Sequence, residues 1–216
     1  MSDFTTWRSL VDGEEIGVIP DSAILPPEED SLTHFSGDTG GYAINDDSPI
    51  IWDEFNELSL KKTSTSQQTI GSTSGLQNYP EPGDSFSFFV REGSGEPRSL
   101  FAWAVQDASD AVLGGSYGFR GEADNNQIVF VKDGSTVSSE PMTINSETWY
   151  DVEIEWETNG DITITVYDVD QSTGDRTGTV GSLSDNDTEY SSSGGIGLSD
   201  GGQGGTLAWD FARLTN

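Results

Sequence analysis

Three carboxylates at every second position, Glu153, Glu155 and Glu157, are the residues here whose types and spacing most suggest chemistry. They lie in Trp149–Asp168, WYDVEIEWETNGDITITVYD, where Val152, Ile154 and Trp156 alternate with Asp151, Glu153, Glu155 and Glu157. That period of two marks a strand with one buried face. The glutamates would then project from the other face at intervals of ~6.5–7 Å. A carboxylate row of this kind can serve as a catalytic pair, and it is equally what a hydrated strand surface looks like.

A second constellation could bind rather than react. Trp103 and Tyr117 offer rings to stack on a sugar face, and Gln106, Asp107 and Arg120 offer groups that fix hydroxyls. These five fall on two adjacent predicted strands and their joining loop, so they can converge. His34 is the single histidine and the chain has no cysteine. A histidine-based triad, a multi-histidine zinc site, thiolate chemistry and disulfides are thereby excluded.

The elements that must position these groups are short strands. Asn159-Gly160 accepts the positive φ of a tight hairpin, and Ile162, Ile164 and Val166 resume the alternation beyond it. Further strands are predicted at 42–44, 57–61, 69–72, 85–91, 99–106, 116–120, 127–132, 141–144, 148–156, 161–168, 194–198 and 206–214. Gly, Asn, Asp and Ser clusters separate them, and no long segment carries a 3.6-residue period. About a dozen such strands amount to a jelly-roll load, more than an immunoglobulin sandwich holds. Residues 1–30 read differently: LVDGEEIGVI can form a hairpin turning at Asp12-Gly13, and Pro26-Pro27 with Glu28-Glu29-Asp30 resemble a linker. Residues 1–30 read either as an attachment arm or as an extra edge strand of the main domain; we take them as an N-terminal attachment arm, with 31–216 as the main domain.

Thirty-eight acidic residues face nine basic ones, only three of them lysine, for a formal net charge of −29. Acid excess with few lysines suits molar salt, where a Debye length of ~3 Å screens self-repulsion. With no basic patch, nucleic acid and anionic lipid are excluded as partners. No apolar run is long enough for membrane insertion, and the polar start Met1-Ser2-Asp3 is unlike a signal peptide. The acidic segments Asp168-x-Asp170 and Asp185-Asn186-Asp187 read as solvated turns.

Several segments resemble, in order, the concanavalin A-like lectin/glucanase jelly roll: LTHFSGDTGGYAI (32–44), STSGLQNYPEPGDSFSFFVR (72–91), the laminin G-like TWYDVEIEW (148–156) and GGIGLSDGGQGGTLAWDFARLT (194–215). The resemblance implies an all-β, two-sheet antiparallel β-sandwich jelly roll with a short N-terminal arm. It also implies a structural Ca²⁺ bridging an early loop and the last strand, through Asp38 and Asp210 here. Laminarinase-type enzymes of the fold carry E-x-D-x-E or E-x-D-x-x-E, whose first Glu is nucleophile and last acid/base. Glu153, Glu155 and Glu157 match that spacing with Glu in place of the middle Asp. Because so acid-rich a chain produces such rows readily, the row is read as surface and the protein as non-enzymatic. The lead-in WRSLVDGEEIGVIPDS resembles segments of haloarchaeal and haloarchaeal-virus proteins. The expected role is a virion structural, decoration or host-adhesion module outside the cell. It would bind a host-surface glycan or glycoprotein and dock on other assembly proteins through residues 1–30, as a homo-oligomer within the assembly.

Overall fold

A computed structural model describes the side chains of residues 80–93, 98–106, 115–192 and 194. It also describes the backbone of strands at 8–11, 14–18, 42–45, 59–62, 69–72, 195–199 and 207–215. Fifteen strands occur in chain order among these residues, and no helix. They are β1 Arg8–Val11, β2 Glu14–Val18, β3 Tyr42–Asn45, β4 Ser59–Lys62, β5 Thr69–Ser72, β6 Ser85–Glu92, β7 Arg98–Val105 and β8 Tyr117–Glu122. Then follow β9 Gln127–Lys132, β10 Ser135–Pro141, β11 Thr148–Trp156, β12 Asp161–Val169, β13 Arg176–Asn186, β14 Gly195–Ser199 and β15 Leu207–Thr215.

The strands form two large antiparallel sheets. One runs β10-β9-β8-β7-β14-β5 and the other β13-β12-β11-β6-β15-β4-β3, while β1 and β2 make a separate hairpin. The protein is therefore an antiparallel β-sandwich of the jelly-roll type. Alternation along the strands builds its core: Phe86, Phe88 and Val90 of β6, Val152, Ile154 and Trp156 of β11, and Ile162, Ile164 and Val166 of β12 face Phe101, Trp103, Tyr117, Phe119, Ile128 and Phe130 across the sandwich. Phe88 and Phe101 stack with ring centroids 4.0 Å apart. The reverse of the six-stranded sheet carries a smaller buried cluster of Leu100, Ala102, Val105, Val129 and Val131.

The hairpin read at Asn159-Gly160 is present. Gly160 alone of that dipeptide has positive φ, +87°, and a Cβ there would lie 2.5 Å from Thr188 Cγ2. β1 and β2 pair as expected, Val11 opposite Glu14, while Asp12 and Gly13 lie outside the described residues. Two strands, β10 and β13, lie where none was expected, and the run at 141–144 is not a strand beyond Pro141. Met142 and Ile144 of that run are buried as loop residues.

Candidate functional site

Four connections meet at one end of the sandwich. They are the β7–β8 connection, the β9–β10 turn, the β11–β12 turn and the segment after β13. The β9–β10 connection is a two-residue turn with Asp133 at φ 51° and Gly134 at φ 70°, the primed geometry that suits twisted hairpins. This turn holds the Asp133 carboxylate where it accepts the Gly115 N–H at 2.7 Å and the Ser116 N–H at 3.3 Å. The Asp133 N–H in turn donates to the Ser116 carbonyl. Beside the β11–β12 turn, the Asp187 N–H donates to the Gly160 carbonyl, fixing the start of the post-β13 segment.

Asp187 is the hub of this end. Its Oδ1 accepts the Tyr117 hydroxyl at 2.7 Å and the Glu189 N–H at 2.8 Å, and its Oδ2 accepts Lys132 Nζ at 2.6 Å. Lys132 also reaches Glu189 Oε2 at 2.8 Å. Tyr190 closes the group: its N–H donates to the Tyr117 oxygen at 3.0 Å and its hydroxyl to Asp133 Oδ1 at 2.6 Å. Its half-buried ring meets that of Tyr117 edge-on, with centroids 5.0 Å apart.

The electrostatics follow from these contacts. Burial pushes the Asp187 carboxyl up, but the hydrogen bonds from Lys132, the Glu189 amide and Tyr117 outweigh it and hold it below the ordinary range. The Lys132 ammonium is held above its ordinary range by its bonds to Asp187 and Glu189. Burial, followed by the bond to Asp187, raises the Tyr117 phenol. Tyr190 is pushed up to about 12 by burial and by Asp133. All four groups thus keep fixed charge states near neutrality. The result is a half-exposed aromatic ring, pinned at its hydroxyl, among one ammonium and three carboxylates. Such a set can stack on a ring and exchange hydrogen bonds with hydroxyls.

The residues singled out from sequence separate on the structure. Trp103 and Tyr117 are cross-strand partners, and both have zero relative exposure inside the core, so neither offers a face for stacking. Only the Tyr117 hydroxyl reaches the end constellation. Arg120 points to the opposite face of its sheet, onto Glu122 at 2.7 Å and Thr136 at 3.0 Å. Gln106 is exposed and donates to the Ala104 carbonyl, and Asp107 lies outside the described residues. Asp210 is on β15 opposite Phe89, and Asp38 lies outside the described residues. Among the described residues no three His, Cys, Asp or Glu side chains gather as metal ligands, and the side chains of Asp38 and Asp210 lie outside those residues.

The glutamate row divides. Glu153 sits on β11 and accepts the Tyr167 hydroxyl at 2.8 Å and Arg176 Nη1 at 3.1 Å. Glu155 is exposed on the same strand, whereas Glu157 has left it for the hairpin turn, where its N–H donates to the Asp161 carbonyl. Of the end constellation, Lys132, Asp133, Glu189 and Tyr190 are not singled out by the sequence. The Asp133-Gly134 dipeptide was the available signal, since it closes a hairpin right after a clear strand. Asp187, read as part of a solvated turn, instead accepts three hydrogen bonds, as Asp133 does.

No protein-family model matches the chain, and no curated protein sequence matches it. Solved structures of similar arrangement include the carbohydrate-binding module CBM66 from Bacillus subtilis, at 14% identity and TM-score 0.48, covering 84% of this chain and 95% of that one. Others are a GH131 β-glucanase catalytic domain from Podospora anserina, at 11% identity and TM-score 0.47 (82% and 79% covered), and lectin II from Ulex europaeus, at 12% and 0.46 (82% and 96%). At these identities and scores no residue role, ligand or activity is carried over to this chain.

Proposed function

We propose that this protein is a non-enzymatic binding module that takes a glycan at the Tyr190 end of the sandwich. The observation that carries the reading is the pinned, half-exposed Tyr190 ring bordered by Lys132, Asp133, Asp187 and Glu189. A ring held at its hydroxyl loses little freedom on stacking, and flanking charged groups supply hydroxyl partners. Net charge −29 with three lysines supports a high-salt setting, and the lead-in segment supports a virion surface or comparable assembly.

Glycan-array retention in molar NaCl, with Tyr190→Ala beside the native chain, tests this. Retention lost in the variant is the expected result, and no retention of the native chain ends the glycan reading. The hydrolase alternative is read in parallel through reducing-sugar release from a β-glucan. Release that Glu153→Gln abolishes would replace binding by catalysis. The division of the glutamate row, with Glu153 bound by Arg176 and Tyr167, speaks for the binding reading.

A further inference from the structure

The hydrogen-bonding atoms left unused at the Tyr190 end define which sugars it can hold. Its donors are nearly spent. The Tyr117 hydroxyl donates to Asp187 Oδ1, the Tyr190 hydroxyl to Asp133 Oδ1 and the Tyr190 N–H to the Tyr117 oxygen. Lys132 Nζ commits two of its three hydrogens, to Asp187 Oδ2 at 2.6 Å and Glu189 Oε2 at 2.8 Å. The Gly115, Ser116 and Glu189 amides are likewise taken up by carboxylates.

Acceptors remain. All three bonds to the Asp133 carboxylate end on Oδ1. Among the described residues nothing bonds its Oδ2, and that oxygen is not sealed from solvent. Oδ2 shares a carbon with the oxygen that holds the Tyr190 hydroxyl, so it stands at the edge of that ring. Glu189, whose side chain is 57% exposed, commits only Oε2, and its Oε1 receives no bond among the described residues. One ammonium hydrogen is thus left beside two open carboxylate oxygens.

A ligand group at this end must therefore donate. A hydroxyl donates, and its own oxygen can accept the remaining hydrogen of Lys132. A carboxylate or sulfate can only accept. It would find one hydrogen, and it would set a negative charge beside two open carboxylate oxygens. Lys132 does not offset that charge, because it already bridges Asp187 and Glu189.

We propose that the Tyr190 end selects neutral, hydroxyl-rich sugars over uronic, sialic and sulfated ones, with Asp133 Oδ2 and Glu189 Oε1 as the specificity-determining acceptors. This selectivity rests on the glycan reading of that end and adds the chemical class of the ligand.

The net charge of −29 disfavours any anion at long range, so the test belongs in about 2 M NaCl, which screens that field and leaves contact chemistry. On a glycan array the native chain should hold its tightest neutral glycan at least about tenfold more tightly than any glycan ending in a uronate, sialate or sulfated sugar. Asp133→Asn keeps Oδ1 and puts an amide donor in place of Oδ2, and asparagine tolerates the φ of 51° there. Glu189→Gln makes the same exchange on an exposed side chain. Either variant should cut the preference to about threefold or less. Acidic glycans held as tightly as neutral ones, with both lost in Tyr190→Ala, would overturn the selectivity and leave the glycan site standing. A preference unchanged in both variants would also overturn it, because the charge of the rest of the chain would then be its source. Retention of no glycan of either kind would overturn the glycan reading and the selectivity with it. Should Asp133→Asn fail to fold, Glu189→Gln decides alone.

Discussion

Replacing Glu92 with glutamine should stabilise this protein at alkaline pH and leave it almost unchanged at pH 4. Glu92 ends β6 and is 1% exposed. Its Oε1 accepts the Ser99 hydroxyl at 2.5 Å and the Ser99 N–H at 3.2 Å, while its Oε2 has no hydrogen-bond partner. Burial is the main cause that pushes its pKa up to about 8, with smaller upward contributions from Asp124 and Glu122, against the downward pull of Ser99. The folded chain therefore keeps this proton to about pH 8, whereas the unfolded chain releases it near 4.5. The stability tied to the protonated form is complete below pH ~4.5 and is lost as pH rises through about 8.

The size follows from the interval: some 3.5 pH units at about 1.4 kcal/mol each is on the order of 5 kcal/mol. That is comparable to the whole stability of a small domain. Glutamine offers the same carbonyl oxygen to Ser99 and cannot ionise. Urea unfolding of both proteins from pH 4 to pH 9 should show a difference that opens at about 1.4 kcal/mol per unit above pH 4.5 and levels off past 8. Taking the difference cancels the other carboxylates. Because burial leads the causes, raising NaCl from about 0.2 to 2 M should hardly change it. A pH-independent difference would refute the assignment of a buried neutral acid, and a difference abolished by salt would assign the shift to Asp124 and Glu122 instead.

Gly160→Ala places a Cβ 2.5 Å from Thr188 Cγ2 and 2.7 Å from the Asp187 carbonyl at φ +87°, and should cost about 2–3 kcal/mol in thermal or urea unfolding. Arg176→Met removes the guanidinium partner of buried Asp151 and should cost about 2–3 kcal/mol by the same assay. Tyr190→Phe should lose about 1 kcal/mol with its bond to Asp133 yet keep glycan retention, in contrast to Tyr190→Ala.

The architecture was legible wherever one face of a strand is apolar. β5, β9 and β11 match their expected bounds, and most of the other strands lie within one or two residues of theirs. β10 and β13 were invisible for a common physical reason: each ends a sheet and is wet on both faces. β10 is half-buried only at Ser138, and β13 buries only Leu183. Neither shows a period of two. Apart from Leu183, their large apolar residues point outward. Val137 and Val180, the large hydrophobics exposed among the described residues, stand at register shifts on these edges, where a bulge turns a side chain away from the ladder. The end constellation was unreadable because its partners are 55 to 73 residues apart and meet only through loops. Trp103 and Tyr117 misled because an aromatic residue on a strand looks alike from either side of the sheet.

The use of the few cations makes a last prediction, on salt. All five cationic side chains among the described residues, Arg91, Arg98, Arg120, Lys132 and Arg176, contact carboxylates, and three of them hold two each. Most of these are bonds across the chain, such as Arg98 to Asp124 and Arg176 to Asp151. The contacts of 2.5–3.1 Å between Arg176, Asp151 and Glu153 are partly buried, and salt screens such pairs much less than exposed ones. Screening therefore weakens them little. The remaining acid excess repels over longer distances, which the ~10 Å Debye length at 0.1 M leaves largely unscreened. Raising NaCl should then relieve repulsion faster than it loosens attraction, and the urea midpoint should climb steadily between 0.1 and 2 M. Sodium sulfate strengthens burial generally, so NaCl is the informative salt. A midpoint that falls with NaCl would show that the ion pairs outweigh the repulsion, and the acid-rich surface would then be no adaptation to salt.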